Sequence, residues 1–227
     1  MIVEDRTTSE NAARRGTTVD LSFPVLGDRV PRDHGYALYG AICRAAPSLH
    51  EAPWLGVHPL SGMAIDDTTL HLARHASLRL RLPADRIADV LGLAGANLDV
   101  AGASLRLGAP QVHALSLAPS LDARLVAIKL TRRPVRSNPA LHRQALDVVG
   151  FAERYSVEIS RQLHAIGIDQ PFELCGRRSL TVAGRRIVGY SVRVGGLTLE
   201  QSLALQERGL GGKRRMGCGV FRATRGA

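Results

Sequence analysis

The amino-acid sequence predicts an α+β protein made of two successive β-α-β-β-α-β units. Three observations predict it. Strand-like alternation and helix-like apolar stripes follow the same order in both halves of the 227 residues. A short proline- and serine-containing joint, "LAPSLD", separates the two runs. Charge steps at that joint: residues 1–120 hold 11 Lys+Arg against 12 Asp+Glu, and residues 121–227 hold 19 against 8.

The elements follow in order. Residues 1–16 lack apolar periodicity and are expected to be a mobile tail. "TVDLSFPVL" (18–26) alternates as a strand, and "DHGYALYGAICRAAP" (33–47) opens on Asp33 as a cap, carries a helical stripe through Ala37, Leu38, Ala41 and Ile42, and stops at Pro47. "WLGVHPLSGM" and "LHLARHASLRLRLP" read as a hairpin, "PADRIADVLGL" as a proline-initiated helix and "ASLRLGAPQVHALS" as one closing strand. After the joint, "RLVAIKLTR" is a strand and a long helical region runs from Asn138-Pro139 to about Ile166. "FELCGRRSLTV" and "RRIVGYSVRV" pair around an Ala183-Gly184 turn, "TLEQSLALQERGL" is a helix, and "GCGVFRAT" closes the chain as a strand. This is the ferredoxin-like, or RRM-like, order twice over, with a first domain at 17–118 and a basic second domain at 121–227.

Composition narrows the partner. The chain is 45% apolar, as a globular protein is, with a net charge of +10 and a pI near 10.6, which favours a polyanion over a small neutral substrate. The positive field belongs to the second half. Only Lys129 and Lys213 are lysines; the arginine excess is given no functional weight. Cys43, Cys175 and Cys218 are odd in number and widely spaced, so neither a disulfide framework nor a CxxC metal pair is expected. No apolar run is long enough for a bilayer and the first residues lack a signal-peptide core, so the expected location is the cytoplasm, without a membrane partner. RRM-like sheets often stack RNA bases on aromatic residues, yet aromatics are only 4% here and no strand holds a cluster of them. Charge and loops must do the binding.

The loop that combines both is "ERGLGGKRRMGCGVF", residues 207–221. Gly209, Gly211 and Gly212 allow close approach of an anion to backbone N–H groups, while Lys213, Arg214 and Arg215 supply Coulomb attraction. It follows a helix and enters a strand, so it is neither a Walker loop nor a dinucleotide fingerprint. With this loop ahead of the last strand, the tandem order resembles the CRISPR-associated repeat-processing endoribonucleases, a branch of the RAMP superfamily. The resemblance spans about residues 17–224, and "HGYALYGAI" with "LHEAPWLGVHPLSG" resembles the subtype first associated with myxobacteria.

That resemblance implies an enzyme that cuts the repeat of a CRISPR precursor transcript into guide RNAs. Neither a metal nor a cofactor is implied: the 2′-OH attacks the adjacent phosphate, leaving a 2′,3′-cyclic phosphate and a 5′-OH. The implied partners are repeat RNA, its crRNA product and subunits of an interference complex, with no direct DNA contact. Such chemistry needs a base, an acid and a donor for the developing phosphorane charge; histidine, with its pKa near neutrality, suits the proton steps. Family members often use a tyrosine on the first helix and a histidine just beyond it, which matches Tyr36 and His50. His34, at the helix start where an imidazolium is disfavoured, could contact a phosphate or pack beside Asp33. His58 lies in an apolar stretch and reads as a core or sheet-face residue. With no lysine in the first half, charge stabilisation falls to Arg44, to Tyr36 or to an arginine of the second half. In the second unit, Arg132 and Arg133, with Arg136, leave the first strand, and Arg177 and Arg178 lie within a basic hairpin that also carries Arg185 and Arg186. A catalytically silent RAMP subunit that only holds guide RNA is the alternative; a ribosomal or tRNA-associated RRM-like protein is disfavoured by the missing sheet aromatics.

Overall fold

The computed structural model describes residues 17–130 and 145–224, with side chains described from residue 150 in the second stretch. The expected tail at 1–16, and Arg132, Arg133 and Arg136, lie outside the described residues. The chain divides into two compact units. The first holds the residues up to Leu115 together with Leu180–Arg185 and Arg215–Gly217; the second holds Ser116–Ser179, Arg186–Arg214 and the chain from Cys218.

The first unit runs β1 (Thr18–Leu26), β2 (Arg29–Pro31), α1 (Gly35–Ala45), β3 (Gly56–Val57), β4 (Gly62–Ala64), β5 (Thr69–Leu72) and β6 (Ser77–Pro83). It continues through a single helical turn, α2 (Ile87–Val90), to β7 (Asn97–Val100), β8 (Ala103–Leu107) and β9 (Gln111–Ala114). Alternation in β1 puts Leu21, Phe23 and Val25 into the core. β6 lies antiparallel on one side of β1 and β9 on the other, with β3 outside β6. The order β9-β1-β6-β3 is the 4-1-3-2 arrangement of a ferredoxin-like unit.

The closing strand is split where one was expected. Pro110 separates β8 from β9; β9 takes Val19–Ser22 of β1, and β8 takes Val25 and Leu26. Pro24, which cannot donate to a ladder, sits at the changeover. The sequence reading also missed β7 and the small sheet β2-β5-β4. The expected helix at 83–93 shrinks to α2 between two 3-10 turns, enough to bury Val90 and Leu93. Asp33 does not cap α1: its Oδ2 accepts the Thr181 N–H at 2.8 Å, and no side chain caps the helix.

The chain after Leu115 forms β10 (Leu121–Val126), α3 (Ala145–His164), β11 (Phe172–Val182), β12 (Arg185–Val194), α4 (Leu199–Arg208) and β13 (Arg222–Ala223), all in the second unit apart from the turn ends of β11 and β12. Its strand order β11-β12-β10-β13 is again 2-3-1-4. Tyr155, Ile159 and Leu163 of α3 fill its core with Leu205 and Phe221, and the Tyr155 hydroxyl donates to Val126 O at 2.6 Å. Thr198 and Gln201 form a capping box at the start of α4. Ala183 and Gly184 both take positive φ, so the expected tight turn joins β11 to β12. Among the described residues, no helix is long and apolar enough to cross a membrane.

One charged pair sits inside the first unit. Asp20 and Arg81 face each other across β1 and β6, joined by Nε to Oδ1 at 2.8 Å and Nη2 to Oδ2 at 3.0 Å, and both are buried. Burial pushes the Asp20 carboxyl up, but His58 and Arg81 outweigh it and hold it well below the usual carboxylate range. Asp20→Ala, by leaving a buried guanidinium without this partner, should cost about 3–5 kcal/mol in urea unfolding. Because the folded-state pKa is depressed, the advantage of wild type over Asp20→Asn should be complete above about pH 4 and shrink as pH falls below it.

Candidate functional site

Helix α1 ends at Ala45, and Pro47 starts a five-residue 3-10 turn, Pro47–Glu51, anchored by fully buried Leu49. That turn carries His50 to the side of α1. A hollow of about 470 Å³ opens there, and His50, Tyr36 and Arg44 all line it, together with Tyr39 and Asp99. Tyr36 is 42% exposed, in the first turn of the helix. Arg44 is steered by a hydrogen bond from Nη2 to Asp99 O at 2.6 Å.

Tyr39, one helical turn after Tyr36, is the residue that sequence reading passed over. Its ring lies against the His50 imidazole, with centroids 6.4 Å apart and 23° between planes. Its hydroxyl donates to His50 O at 2.7 Å and approaches Leu49 O at 3.3 Å. Burial pushes the phenol up to about 12, so it remains a donor. The signal was the (i, i+3) pair of tyrosines in "GYALYG".

His34, expected as a candidate catalytic group, is corrected to an interior role. It is fully buried; Nδ1 lies 2.9 Å from Pro31 O, and Nε2 accepts the Leu60 N–H at 3.0 Å. A backbone N–H can only donate, so Nε2 must be the unprotonated nitrogen and Nδ1–H the donor to Pro31. Neither nitrogen is available to a substrate. His58 is buried as well; Nε2 stands 3.5 Å from Asp20 Oδ1 without an aligned hydrogen bond. Burial drives its pKa down to about 4, which keeps it neutral beside two arginines. His71, His75 and His113 are exposed on or beside strands, His164 pairs with Asp169 at 2.7 Å, and His142 lies outside the described residues.

The glycine-rich loop differs from the expected anion nest. Gly209 N donates to Leu205 O as the C-cap of α4, Gly211 N to Gln162 Oε1 at 2.7 Å, and Gly212 N to Ala127 O at 2.8 Å. All three amides are engaged within the second unit, so none is left to cradle a phosphate. The glycines serve packing instead. Gly211 has φ +67°, and a Cβ there would run into the Ala127 carbonyl; Gly219 has φ +65°, and its Cβ would meet the Leu210 carbonyl. The loop thereby continues along the end of β10, with Gly212 bridging Ala127 and Gly219 N donating to Leu125 O at 2.7 Å.

Its cations part ways. Lys213 is exposed with φ 66°, whereas Arg214 and Arg215 are half-buried in a 3-10 turn, Arg214–Met216. Arg215 belongs with the first unit, where its Nη1 donates to His50 O and its guanidinium lies 5.3 Å from the Tyr39 ring centroid. Of the hairpin cations, Arg177 is exposed over the Phe151 ring at 5.9 Å, and Arg178 is exposed with Nη1 on Arg177 O at 3.1 Å. Both lysines of the chain, Lys129 and Lys213, line a hollow of about 650 Å³ in the second unit, with Arg154 and Phe151. Their convergence was invisible in the sequence, where they stand 84 positions apart.

Two ferredoxin-like units in tandem, with a glycine-rich basic loop ahead of the last strand, define the fold class of this chain. Solved structures agree on the fold: "An RAMP protein binding different RNA substrates" covers 91% of this chain and all of its own at TM-score 0.63 and 15% identity. A "CRISPR associated protein Cas6" covers 92% of this chain and all of its own at TM-score 0.60 and 14% identity. The family model described as Cas6 Crispr matches residues 19–226. The CRISPR-associated endonuclease Cas6 of Myxococcus xanthus (strain DK1622) is 40% identical over 203 residues, 89% of this chain and 80% of that protein. The chain belongs to the Cas6 family of CRISPR-associated endonucleases.

Adjacent glycines in the loop should respond differently to a methyl group. Gly211→Ala should lower stability by at least about 1–2 kcal/mol, the left-handed penalty alone, in a thermal or urea melt. Gly212→Ala meets open space at ordinary φ and should stay within about 0.5 kcal/mol of wild type.

Proposed function

We propose that the protein cuts CRISPR precursor RNA within its repeat by a metal-independent transesterification, with His50 as the proton-transfer group. The ribose 2′-oxygen bonds to the adjacent phosphorus as its proton passes to a base; the P–O5′ bond breaks as an acid delivers a proton to the leaving oxygen. The products carry a 2′,3′-cyclic phosphate and a 5′-OH. His50 is the base or the acid, the Tyr36 hydroxyl orients or stabilises the reacting phosphate, and Arg44 offsets the phosphorane charge.

One observation carries this reading. Of the three first-unit histidines weighed for the role, only His50 opens onto a hollow that also contains a tyrosine hydroxyl and a guanidinium. A tyrosine with His50 and a cation offers the donors and the proton carrier that such a step needs, and the relationship to a CRISPR-associated endonuclease supports the substrate class. Exposed Lys213, Arg177 and Arg178 are proposed to hold the RNA backbone, with Lys129 and Arg154 beside Lys213.

The assignment predicts a clear separation of rate from affinity. In EDTA, wild-type protein should cut cognate repeat RNA once. His50→Ala should lower the single-turnover rate by roughly 10²–10⁴-fold with little change in binding, and Tyr36→Phe should lose less. Dependence on added divalent metal, or wild-type cleavage by His50→Ala, would contradict the mechanism; intact RNA at every condition would leave a silent binding subunit.

Neutralising Lys213 should weaken binding and make the plot of log affinity against log salt shallower by about one phosphate contact. An unchanged slope would remove Lys213 from the RNA interface.

A further inference from the structure

Arg215 sits in the densest run of positive charge in the chain, and sequence alone assigns it to phosphates. Its surroundings say otherwise. Nη1 donates to the His50 carbonyl, and the guanidinium lies 5.3 Å from the Tyr39 ring centroid. The same Tyr39 ring stacks near the His50 imidazole, and its hydroxyl donates to the same His50 carbonyl at 2.7 Å. Both lone pairs of one carbonyl are thereby matched by donors, one of them charged.

The segment that bears Arg215 is itself pinned within the first unit. A Cβ on Gly35 would run into Met216 O, so α1 admits the segment only because its first residue is glycine. Gly217, at φ +84°, lies so close to Pro59 that an added Cβ would stand 2.9 Å from its Cγ. Arg215 is thus delivered to the His50 turn by two close backbone approaches. The turn needs such help: it is only five residues long, and the internal bonds at its ends measure 3.1 Å and 3.3 Å.

We infer that Arg215 is a positioning residue, clamping the His50 main chain jointly with Tyr39 so that the imidazole is held toward the hollow; this rests on the reading of His50 as the proton-transfer group. Arginine fits the task where lysine would not, because a planar fork can donate to a carbonyl while its face lies on an aromatic ring. Arg215 therefore acts on the rate of the chemical step, and the adjacent Lys213 on affinity.

The test compares Arg215→Ala, Arg215→Lys and Lys213→Ala with wild type, measuring repeat-RNA affinity over a salt series, the single-turnover cleavage rate at saturating protein, and the NMR signal of isotope-labelled His50. Arg215→Ala should slow saturated cleavage by roughly 10–100-fold, as expected of a displaced catalytic group, and should shift or broaden the His50 ring signal. Its affinity and salt slope should change less than those of Lys213→Ala. Arg215→Lys, which keeps the charge but loses the fork, should restore binding fully and the His50 signal only in part. The inference is overturned if Arg215→Ala matches Lys213→Ala in affinity and salt slope while the saturated rate and the His50 signal stay at wild-type values. If Arg215→Ala does not fold by circular dichroism, Tyr39→Phe removes the other donor: a moved His50 signal supports the clamp and an unmoved one overturns it. Because the His50 signal is read without cleavage, the clamp can hold even where His50→Ala cuts normally and the proposed mechanism fails.

Discussion

The candidate site depends on one carbonyl. His50 O receives the Tyr39 hydroxyl and the Arg215 guanidinium, two donors that converge on a five-residue turn. Everything around the turn serves that contact: Leu49 anchors it from below in the core, Pro47 ends α1 so that it can form, and Gly35 gives the segment near Met216 room to approach. The His50 side chain itself stays exposed, as the proton-transfer role proposed for it requires. Rigidity comes from the backbone while the ring remains accessible.

The same economy explains the glycine-rich loop. The amides of Gly209, Gly211 and Gly212 go to Leu205, Gln162 and Ala127, so the anion contacts proposed for this loop are assigned to side chains. Glycine is required there because the loop runs against carbonyls of its own unit, with φ values that other residues adopt at a cost of about 1–2 kcal/mol. A loop bound in this way presents Lys213 from a fixed platform. Binding through cations is screened by salt, whereas the donors on His50 O are partly shielded from solvent, so affinity and chemical rate should respond to salt differently.

The sequence carried the β-α-β-β-α-β order of each unit, because strand alternation, the helix-stopping Pro47 and the Ala183-Gly184 turn are local signals. It carried Tyr36 and His50 through family resemblance, and the structure puts both on one hollow. What it could not carry depends on contacts between distant residues. His34 looked available at a helix start, yet Leu60 and Pro31, brought in by the fold, occupy both its nitrogens. Arg215 was indistinguishable from Lys213 and Arg214 in a run of three cations, and only the contact with His50, 165 positions away, separates it. The closing strand of the first unit reads as continuous in the sequence because nothing local to Pro110 shows that the chain changes its place along β1 there.

The central claim is that the ribose next to the cut supplies the nucleophile, with His50 moving a proton. The measurement that tests it most directly replaces the single 2′-OH at the scissile nucleotide of the repeat by hydrogen and follows binding and cleavage together in EDTA. The account predicts wild-type affinity with no cut, while the all-ribose control yields a 2′,3′-cyclic phosphate on the upstream fragment. Cleavage of the deoxy-substituted RNA at that position, leaving a 5′-phosphate, would contradict it, because the nucleophile would then have to be water.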